Sequence, residues 1–154
     1  MLDDGAVQKT IEVDLALITY YDELLKDLEL YLLKMAKQHD AHTPYLLQTV
    51  PGIGKILSLV LLYEIHDIRR FPSVQNFASY ARLVKCSKES GSKRLGTSGN
   101  KIGNAHLKWA FSEAATLFLR NNPEGQKLLS RLEKKHDQGK ALSILAHKLG
   151  RAVY

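Results

Sequence analysis

Apolar residues recur every seven positions through the first forty residues of the chain. One row consists of Ile11, Ile18, Leu25 and Leu32. Two further rows consist of Leu17, Leu24 and Tyr31, and of Tyr21, Leu28 and Met35. A heptad repeat without Pro or Gly predicts one long helix over residues 7 to about 38. Because three rows form a wide apolar stripe, more than one neighbouring element must cover it. These elements come either from the rest of the chain alone or, as the heptad repeat favours, also from a second copy of the chain.

The remainder of the chain reads as shorter helices. Residues 45–50 are a short apolar piece, and "KILSLVLLYEI" after the following turn predicts a buried helix. Ser73 is the expected N-cap of the next helix, and Pro123 stands at the favoured first position of a later one. We find no convincing strand. The pattern therefore predicts an all-α fold, with a long helix in residues 1–45 and a compact helical bundle in residues 46–154.

Residues 85–104, "KCSKESGSKRLGTSGNKIGN", break every periodic pattern. They contain four glycines, four serines and five Lys or Arg, against a single acid. This composition predicts a long, flexible basic loop, and loops of that length in compact domains are usually functional or disordered.

Charge divides the chain in the same way as the hydrophobic pattern. Residues 1–45 hold nine acidic and four basic side chains, whereas residues 46–154 hold seven acidic and eighteen basic ones. A basic part of this kind attracts phosphate backbones. Cys86 is the single cysteine, which excludes a disulfide framework and a multi-cysteine zinc site. The sequence shows no secretory signal and no membrane span, so we expect a cytoplasmic protein associated with the nucleoid.

The turn "TVPGIGK", residues 49–55, lies between two predicted helices. It lacks the spacing of a P-loop and the third glycine of a dinucleotide fingerprint. Glycine permits a tight reversal, and the second helix then presents free N–H groups and a positive dipole end to an anion. The turn is therefore predicted to hold a phosphate through Gly52, Ile53, Gly54 and Lys55. The alternative is an ordinary αα-hairpin with a glycine-rich turn.

The residues around this turn resemble a known motif and a known family. "LLQTVPGIGKILSLVLLYEI" is similar to a helix-hairpin-helix, which grips the DNA backbone without reading bases. The order of this hairpin, "RRFPS", "YARL", a Ser-Gly loop and "GNAHLKWAFSEAA" resembles the C-terminal domain of the Piv-type, DEDD-class insertion-sequence transposases. The resemblance covers roughly residues 46–153, and the heptad helix resembles the coiled coil of the same family.

The resemblance implies DNA strand exchange by a serine nucleophile in a Ser-Gly pair. In this chain that residue is Ser90, with Ser92 as the near alternative. A serine hydroxyl needs activation, and the developing phosphate charge needs cations. The expected cations are Lys88, Lys93, Arg94 and Lys101.

In this family the attacking serine works with a RuvC-like domain that supplies four acidic residues and divalent metal. The resemblance also implies DNA and a bridge RNA as partners. This chain starts at the coiled coil, so we expect a fragment or truncated copy that binds DNA without cleaving it alone. It would need no cofactor and no metal of its own, with Mg²⁺ belonging to the missing domain.

Two other functions fit the sequence. One is a helix-hairpin-helix DNA-binding protein without catalysis, and the other is a dimerisation module built on the heptad helix.

Several single residues have structural interpretations of their own. Glu64 and Asp67 are expected to be solvated or ion-paired at the end of a helix beside Arg69 and Arg70. Asn104 is the predicted N-cap of the helix that follows the loop. The aromatic residues of that helix are predicted to lie in the core because of their helical spacing: Trp109, Phe111 and Phe118.

Overall fold

The computed structural model describes residues 5–84, 86–90, 93–98 and 102–154. Its helices are α1 (Gly5–His39), α2 (Thr43–Gln48), α3 (Lys55–Ile65), α4 (Val74–Tyr80), α5 (Ala105–Phe118), α6 (Pro123–Glu133) and α7 (Gln138–Val153). A 3-10 helix lies at Ile68–Arg70, between α3 and α4. The predicted all-α fold is confirmed. The contacts divide the chain into two compact units, Met1–Ala41 and His42–Tyr154.

The first unit is the single helix α1, which is 35 residues long and begins and ends close to the predicted bounds. Its heptad rows are exposed: Ile18 is 57% exposed, Leu25 54% and Leu28 53%. In the part of the chain that the structure describes, no helix has an apolar stretch long enough to cross a membrane.

The second unit is organised around α5, which packs against both α3 and α7. Leu107, Phe111 and Ala114 are fully buried on one side of α5, as their spacing of three and four residues predicts. Phe77 of α4 meets Phe111 edge to face, with ring centroids 6.0 Å apart. The apolar residues flanking the glycine turn also join this core: Leu47, Val50, Ile53, Leu57, Val60 and Leu61.

Polar side chains define where the helices of the second unit begin. The Ser73 hydroxyl accepts a hydrogen bond from the Asn76 amide at 3.3 Å, which confirms the predicted N-cap of α4. Asn122 caps α6 in the same way, with Pro123 at its first position. Such caps satisfy amides that the helix itself leaves without partners, and each contributes about 1 kcal/mol.

A two-stranded antiparallel hairpin stands where the sequence predicts only a loop. Strand β1 (Cys86–Ser90) pairs with β2 (Lys93–Ser98), and the register is irregular between Lys88 and Glu89. The ladder uses backbone hydrogen bonds that almost any residue can make. This segment lacks the apolar alternation by which a strand is recognised, so its sequence did not predict the pairing.

Candidate nucleic-acid interface

The turn between α2 and α3 is fixed against α5 by Gly52. Gly52 has φ +90°, a backbone conformation that other residues rarely adopt. A methyl group on Gly52 would lie 2.3 Å from the Ala114 carbonyl oxygen and 2.7 Å from the Phe118 nitrogen. The neighbouring residue Ile53 is only 4% exposed. Gly52 and Ile53 therefore attach the turn to the bundle, and Ile53 offers almost no surface to a ligand.

Gly54 and Lys55 form the open side of the same turn. Gly54 is the N-cap of α3, in an ordinary extended conformation, and contributes no side chain as a capping acceptor. A methyl group at Gly54 would meet no other atom within 4 Å. Lys55 is exposed, and the first turn of α3 has no acidic residue. An accessible helix N-terminus with a lysine beside it is electrostatically suited to an anion.

A buried serine connects the two helices that flank the turn. Ser58 is fully buried, and its hydroxyl donates to the Lys55 carbonyl oxygen at 2.7 Å. The Gln48 side-chain amide, at the end of α2, donates to the Ser58 oxygen at 3.3 Å. Because a buried polar group is costly unless it is paired, these bonds favour one arrangement of α2 and α3. The geometry of the open amides is therefore set by the fold.

The other predicted site residues lie on the hairpin. Ser90 is the last residue of β1 and pairs with Lys93, the first residue of β2. Lys88 and Arg94 lie on the same two strands. Ser92 and Lys101 lie outside the described residues. Ser90 thus stands at the end of the hairpin where the chain reverses, next to a lysine in the ladder.

The base of the hairpin is attached to the bundle by contacts that the sequence analysis missed. The Arg82 Nε donates to the Gly103 carbonyl oxygen at 2.9 Å. The Asn104 backbone nitrogen donates to the Tyr80 carbonyl oxygen at 2.7 Å. Gly103 has φ +101°, and a methyl group there would lie 2.5 Å from that Tyr80 oxygen. Glycine is therefore required for this approach, which holds together the two chain segments that flank the hairpin.

Asn104 also links α5 to the end of α3. Its side-chain oxygen accepts from the Leu107 amide at 2.9 Å, which confirms the predicted N-cap. Its side-chain nitrogen donates to Glu64 Oε2 at 2.6 Å. Glu64 is half-buried in this contact, whereas Asp67 forms the expected ion pair with Arg69 at 3.1 Å. The carboxylate of Glu64 is therefore part of the structure that supports the hairpin.

Tyr80 and Arg70 complete this cluster. The Arg70 guanidinium carbon lies 4.8 Å from the Tyr80 ring centroid and 4.7 Å from that of Phe71. A hydrogen bond with Asn104 is the main cause that lowers the pKa of the Tyr80 hydroxyl, and Arg70 lowers it further, against burial and the charge of Glu64. Asn104 could be found from the sequence as a cap, but no local signal pairs it with Glu64, forty residues away.

The turn and the hairpin base lie at opposite ends of α5. Gly52 contacts the helix at Ala114 and Phe118, near its carboxyl end, whereas Gly103 and Asn104 lead into its amino end. The 14 residues of α5 span about 20 Å at 1.5 Å per residue. The turn residues therefore lie near one end of α5, and the hairpin that carries the other predicted site residues is rooted at the opposite end.

One predicted core residue is not in the core. Trp109 is 53% exposed, so its assignment to the core is wrong, whereas Phe111 is fully buried and Phe118 packs at the edge. Successive residues of an α-helix are rotated by about 100° around its axis. Trp109, two residues after Leu107 and two before Phe111, therefore lies on the side of α5 opposite the one that bears Leu107, Phe111 and Ala114.

The described residues offer no donor set for a divalent metal. Nowhere among them do three or more His, Cys, Asp or Glu side chains lie close enough to hold an ion. The described part of the chain therefore supplies no cluster of carboxylate, imidazole or thiolate ligands for a divalent ion.

Comparison with known proteins identifies a family and several similar sequences. Residues 45–130 match the profile of the transposase IS116/IS110/IS902 family. The chain is 34% identical over 108 residues to the pilin gene-inverting protein of Moraxella bovis, covering 67% of this chain and 33% of that protein. It is 35% identical over 104 residues to the pilin gene-inverting protein of Moraxella lacunata, covering 64% and 31%. It is 32% identical over 85 residues to the 43.6 kDa protein of insertion element IS110 from Streptomyces coelicolor, covering 55% and 21%. The chain thus spans a third or less of the length of these relatives.

Proposed function

The chain belongs to the transposase IS116/IS110/IS902 family, and on that basis we propose that it is the DNA-binding, serine-bearing part of a transposase or site-specific recombinase. The named relatives are an insertion-element protein and proteins that invert a pilin gene. The name of the pilin gene-inverting proteins describes rearrangement of DNA, and the proposal extends that role to this chain.

The open amino end of α3 is the observation that carries the proposal. Gly54 leaves the first amides of α3 without a side-chain cap, and Lys55 adds a positive charge beside them. These groups suit a DNA phosphate and carry no base specificity. In this proposal α2, the turn and α3 act as a helix-hairpin-helix that holds the duplex through its backbone.

Ser90 is the proposed nucleophile. Its Oγ would form a bond to a DNA phosphorus while one phosphorus–oxygen ester bond breaks, and the hydroxyl proton would pass, overall, to the departing sugar oxygen. Because one ester replaces another, the step can run in reverse and rejoin strands. Lys88, Lys93 and Arg94 of the hairpin, together with Lys101, would stabilise the charge on the phosphate oxygens. Ser92 is the alternative nucleophile.

Strand transfer in this proposal requires more than the present chain. The described residues hold no metal donor set, and a serine needs a base or a metal for activation. We expect this chain alone to bind DNA without cleaving it. In a longer protein that includes an acidic metal-binding domain, a bridge RNA would be a further partner.

A role in self-association is favoured by a separate observation on α1. Its apolar rows are exposed along the whole helix, from Ile11 at 42% to Leu28 at 53%. Covering such rows with a second copy would remove a large apolar area from water. We propose that α1 pairs copies of the chain, in addition to DNA binding by the second unit.

A salt-dependent binding assay tests the DNA-binding role. The affinity for a labelled duplex should fall steeply with salt, and Lys55→Ala should reduce the log–log slope by about 0.9 through loss of one phosphate contact. Lys127→Ala is the matched control, because Lys127 is exposed but already paired with Glu124 at 2.8 Å. Ser90→Ala should leave the affinity unchanged. Equal slopes for Lys55→Ala and Lys127→Ala would refute the placement of DNA at the turn, and salt-independent binding would refute backbone recognition altogether.

A further inference from the structure

Trp109 occupies the middle of a solvent-facing surface on α5. More than half of its side chain is exposed, although tryptophan is a residue that folding normally covers well. The buried positions of α5 all lie on the other side of the helix, where Leu107, Ala110 and Phe111 enter the core. The exposure of Trp109 is thus fixed by the position of the core face, since α5 cannot rotate to bury the indole without exposing Phe111.

The residues around Trp109 leave its ring open. Ala105 stands one turn before it, Ser112 one turn after it and Thr116 two turns after it, and these three are small, while the exposed side chains of His106 and Glu113 flank the indole at the same distance along the helix. The Ser112 hydroxyl donates to the Lys108 carbonyl oxygen at 2.8 Å, and the Thr116 hydroxyl to the Ser112 carbonyl oxygen at 3.2 Å. Both hydroxyls already donate to backbone carbonyl oxygens of α5, so neither needs a polar partner from a ligand that covers the indole. The result is a shallow surface on which a flat group can lie.

The charges near this surface favour an anionic chain. Lys108 is exposed next to Trp109, and the first turn of α5 contains no acidic residue. Lys108 lies in the amino-terminal half of α5, which is also the positive end of the helix dipole. Glu113, the one acidic residue of α5, is exposed one turn after Trp109, so the positive charge lies on the amino-terminal side of the indole. A flat aromatic with a cation beside it is the arrangement by which proteins stack unpaired bases.

We propose that Trp109 stacks on an unpaired base of a nucleic-acid strand, with Lys108 at the adjoining phosphate. This inference rests on the proposed nucleic-acid function and adds a second surface to it. The turn is anchored through Gly52 on the side of α5 that bears Ala114, whereas Trp109 lies on the opposite side. The chain would hold duplex DNA at the turn and an opened strand at Trp109.

The single tryptophan of the sequence makes the stacking directly measurable. Titration with a single-stranded oligothymidine should quench the Trp109 emission and saturate, whereas a duplex with the same number of phosphates should quench it far less. In a separate anisotropy assay with a labelled strand, Trp109→Ala should weaken single-strand binding by about 5- to 100-fold. Trp109→Ala should leave duplex binding unchanged.

Tyr63→Ala supplies the matched control. Tyr63 is 50% exposed on α3, so this variant also removes an exposed aromatic ring. We expect Tyr63→Ala to retain the single-strand affinity of the unaltered chain, and thermal melting should show both variants folded. Equal single-strand affinities for the Trp109 and Tyr63 variants would overturn the proposal.

Three further outcomes separate the possible failures. If the Trp109 emission shifts to shorter wavelength with protein concentration in the absence of nucleic acid, the indole contacts a second copy and the stacking proposal fails. If the duplex binds with steep salt dependence but the single strand leaves Trp109 emission unchanged, the stacking proposal fails and the proposed function stands. If neither duplex nor single strand binds, both fail.

Discussion

The two glycines of the α2–α3 turn should respond to the same substitution in opposite ways. An alanine at Gly52 must adopt φ +90° and place its methyl group 2.3 Å from the Ala114 carbonyl oxygen. The atoms that it meets belong to the backbone of α5, which is the central helix of the unit and cannot swing aside as a side chain does. Gly52→Ala is therefore a change to the fold.

The cost of Gly52→Ala can be worked from two contributions. The positive φ costs about 1–2 kcal/mol for a residue with a Cβ. Overpacking against fixed atoms costs about 1–3 kcal/mol. The sum is about 2–5 kcal/mol, a large part of the roughly 5–15 kcal/mol by which a domain is stable. For a domain of about 100 residues this lowers Tm by about 10–20 °C.

Gly54→Ala is the matched control two residues along. Its backbone is in an extended conformation open to alanine, and its methyl group would meet no atom within 4 Å. The expected cost is at most about 1 kcal/mol, from replacing a favourable N-cap residue. Because the methyl group would stand beside the open amides of α3, duplex affinity should fall in this variant although the protein remains folded.

Thermal unfolding followed by circular dichroism, with duplex binding measured well below Tm, separates the two effects. The expected pattern is a low Tm for Gly52→Ala and weak binding with a near-normal Tm for Gly54→Ala. Equal Tm values for the two variants would refute the packing of Gly52 against α5. Unchanged duplex affinity in Gly54→Ala would refute the use of the α3 amides.

Two further predictions concern the cluster at the hairpin base and His147 on α7. Asn104→Ala should lower the free energy of unfolding in urea by about 1–3 kcal/mol more than Asn122→Ala does. Both variants lose an N-cap, but only Asn104→Ala leaves the half-buried Glu64 without its amide donor. Equal losses in the two variants would contradict a stabilising role for the Glu64 contact. Burial lowers the pKa of His147 in the folded protein, and Arg151 and Lys148 lower it further. The contribution of neutral His147 to the free energy of unfolding should therefore be fully present above the unfolded-state pKa of about 6.5 and should be lost as the pH falls through the lower folded-state pKa. His147→Gln should reduce the loss of unfolding free energy at acid pH, as measured by urea titrations across pH. His106→Gln, on the exposed side of α5, should leave that loss in place. If both variants keep the full loss, His147 is not the group that causes it.

The helical part of the fold could be predicted because its signals are local. The run of Leu57 to Ile65, the cap at Ser73 and the proline at residue 123 each mark an element through neighbouring residues alone, and each lies where the sequence places it. Burial periodicity also identifies Leu107 and Phe111 as core residues. These features depend on spacing along one helix.

Other features depend on residues that are distant in the sequence. The hairpin at residues 86–98 is a pairing of backbones, and Gly52 is constrained by atoms sixty residues further along the chain. Trp109 is apolar and has helical spacing, but the face of α5 that enters the core is decided by α3 and α7. The bond between Glu64 and Asn104 likewise joins two elements that only the tertiary fold brings together. The sequence could thus name candidate residues by their chemical type, but it could not predict the contacts that surround them in the fold.

The length of α5 acquires a further meaning when it is expressed in units of DNA. A helix of about 20 Å corresponds to about six base-pair steps at 3.4 Å each. A protein that grips one phosphate at the turn and presents Ser90 from a hairpin rooted at the other end would use α5 as a spacer. The number of residues in α5, together with the reach of the hairpin to Ser90, would then contribute to how many base pairs separate the phosphate that is held from the phosphate that is attacked.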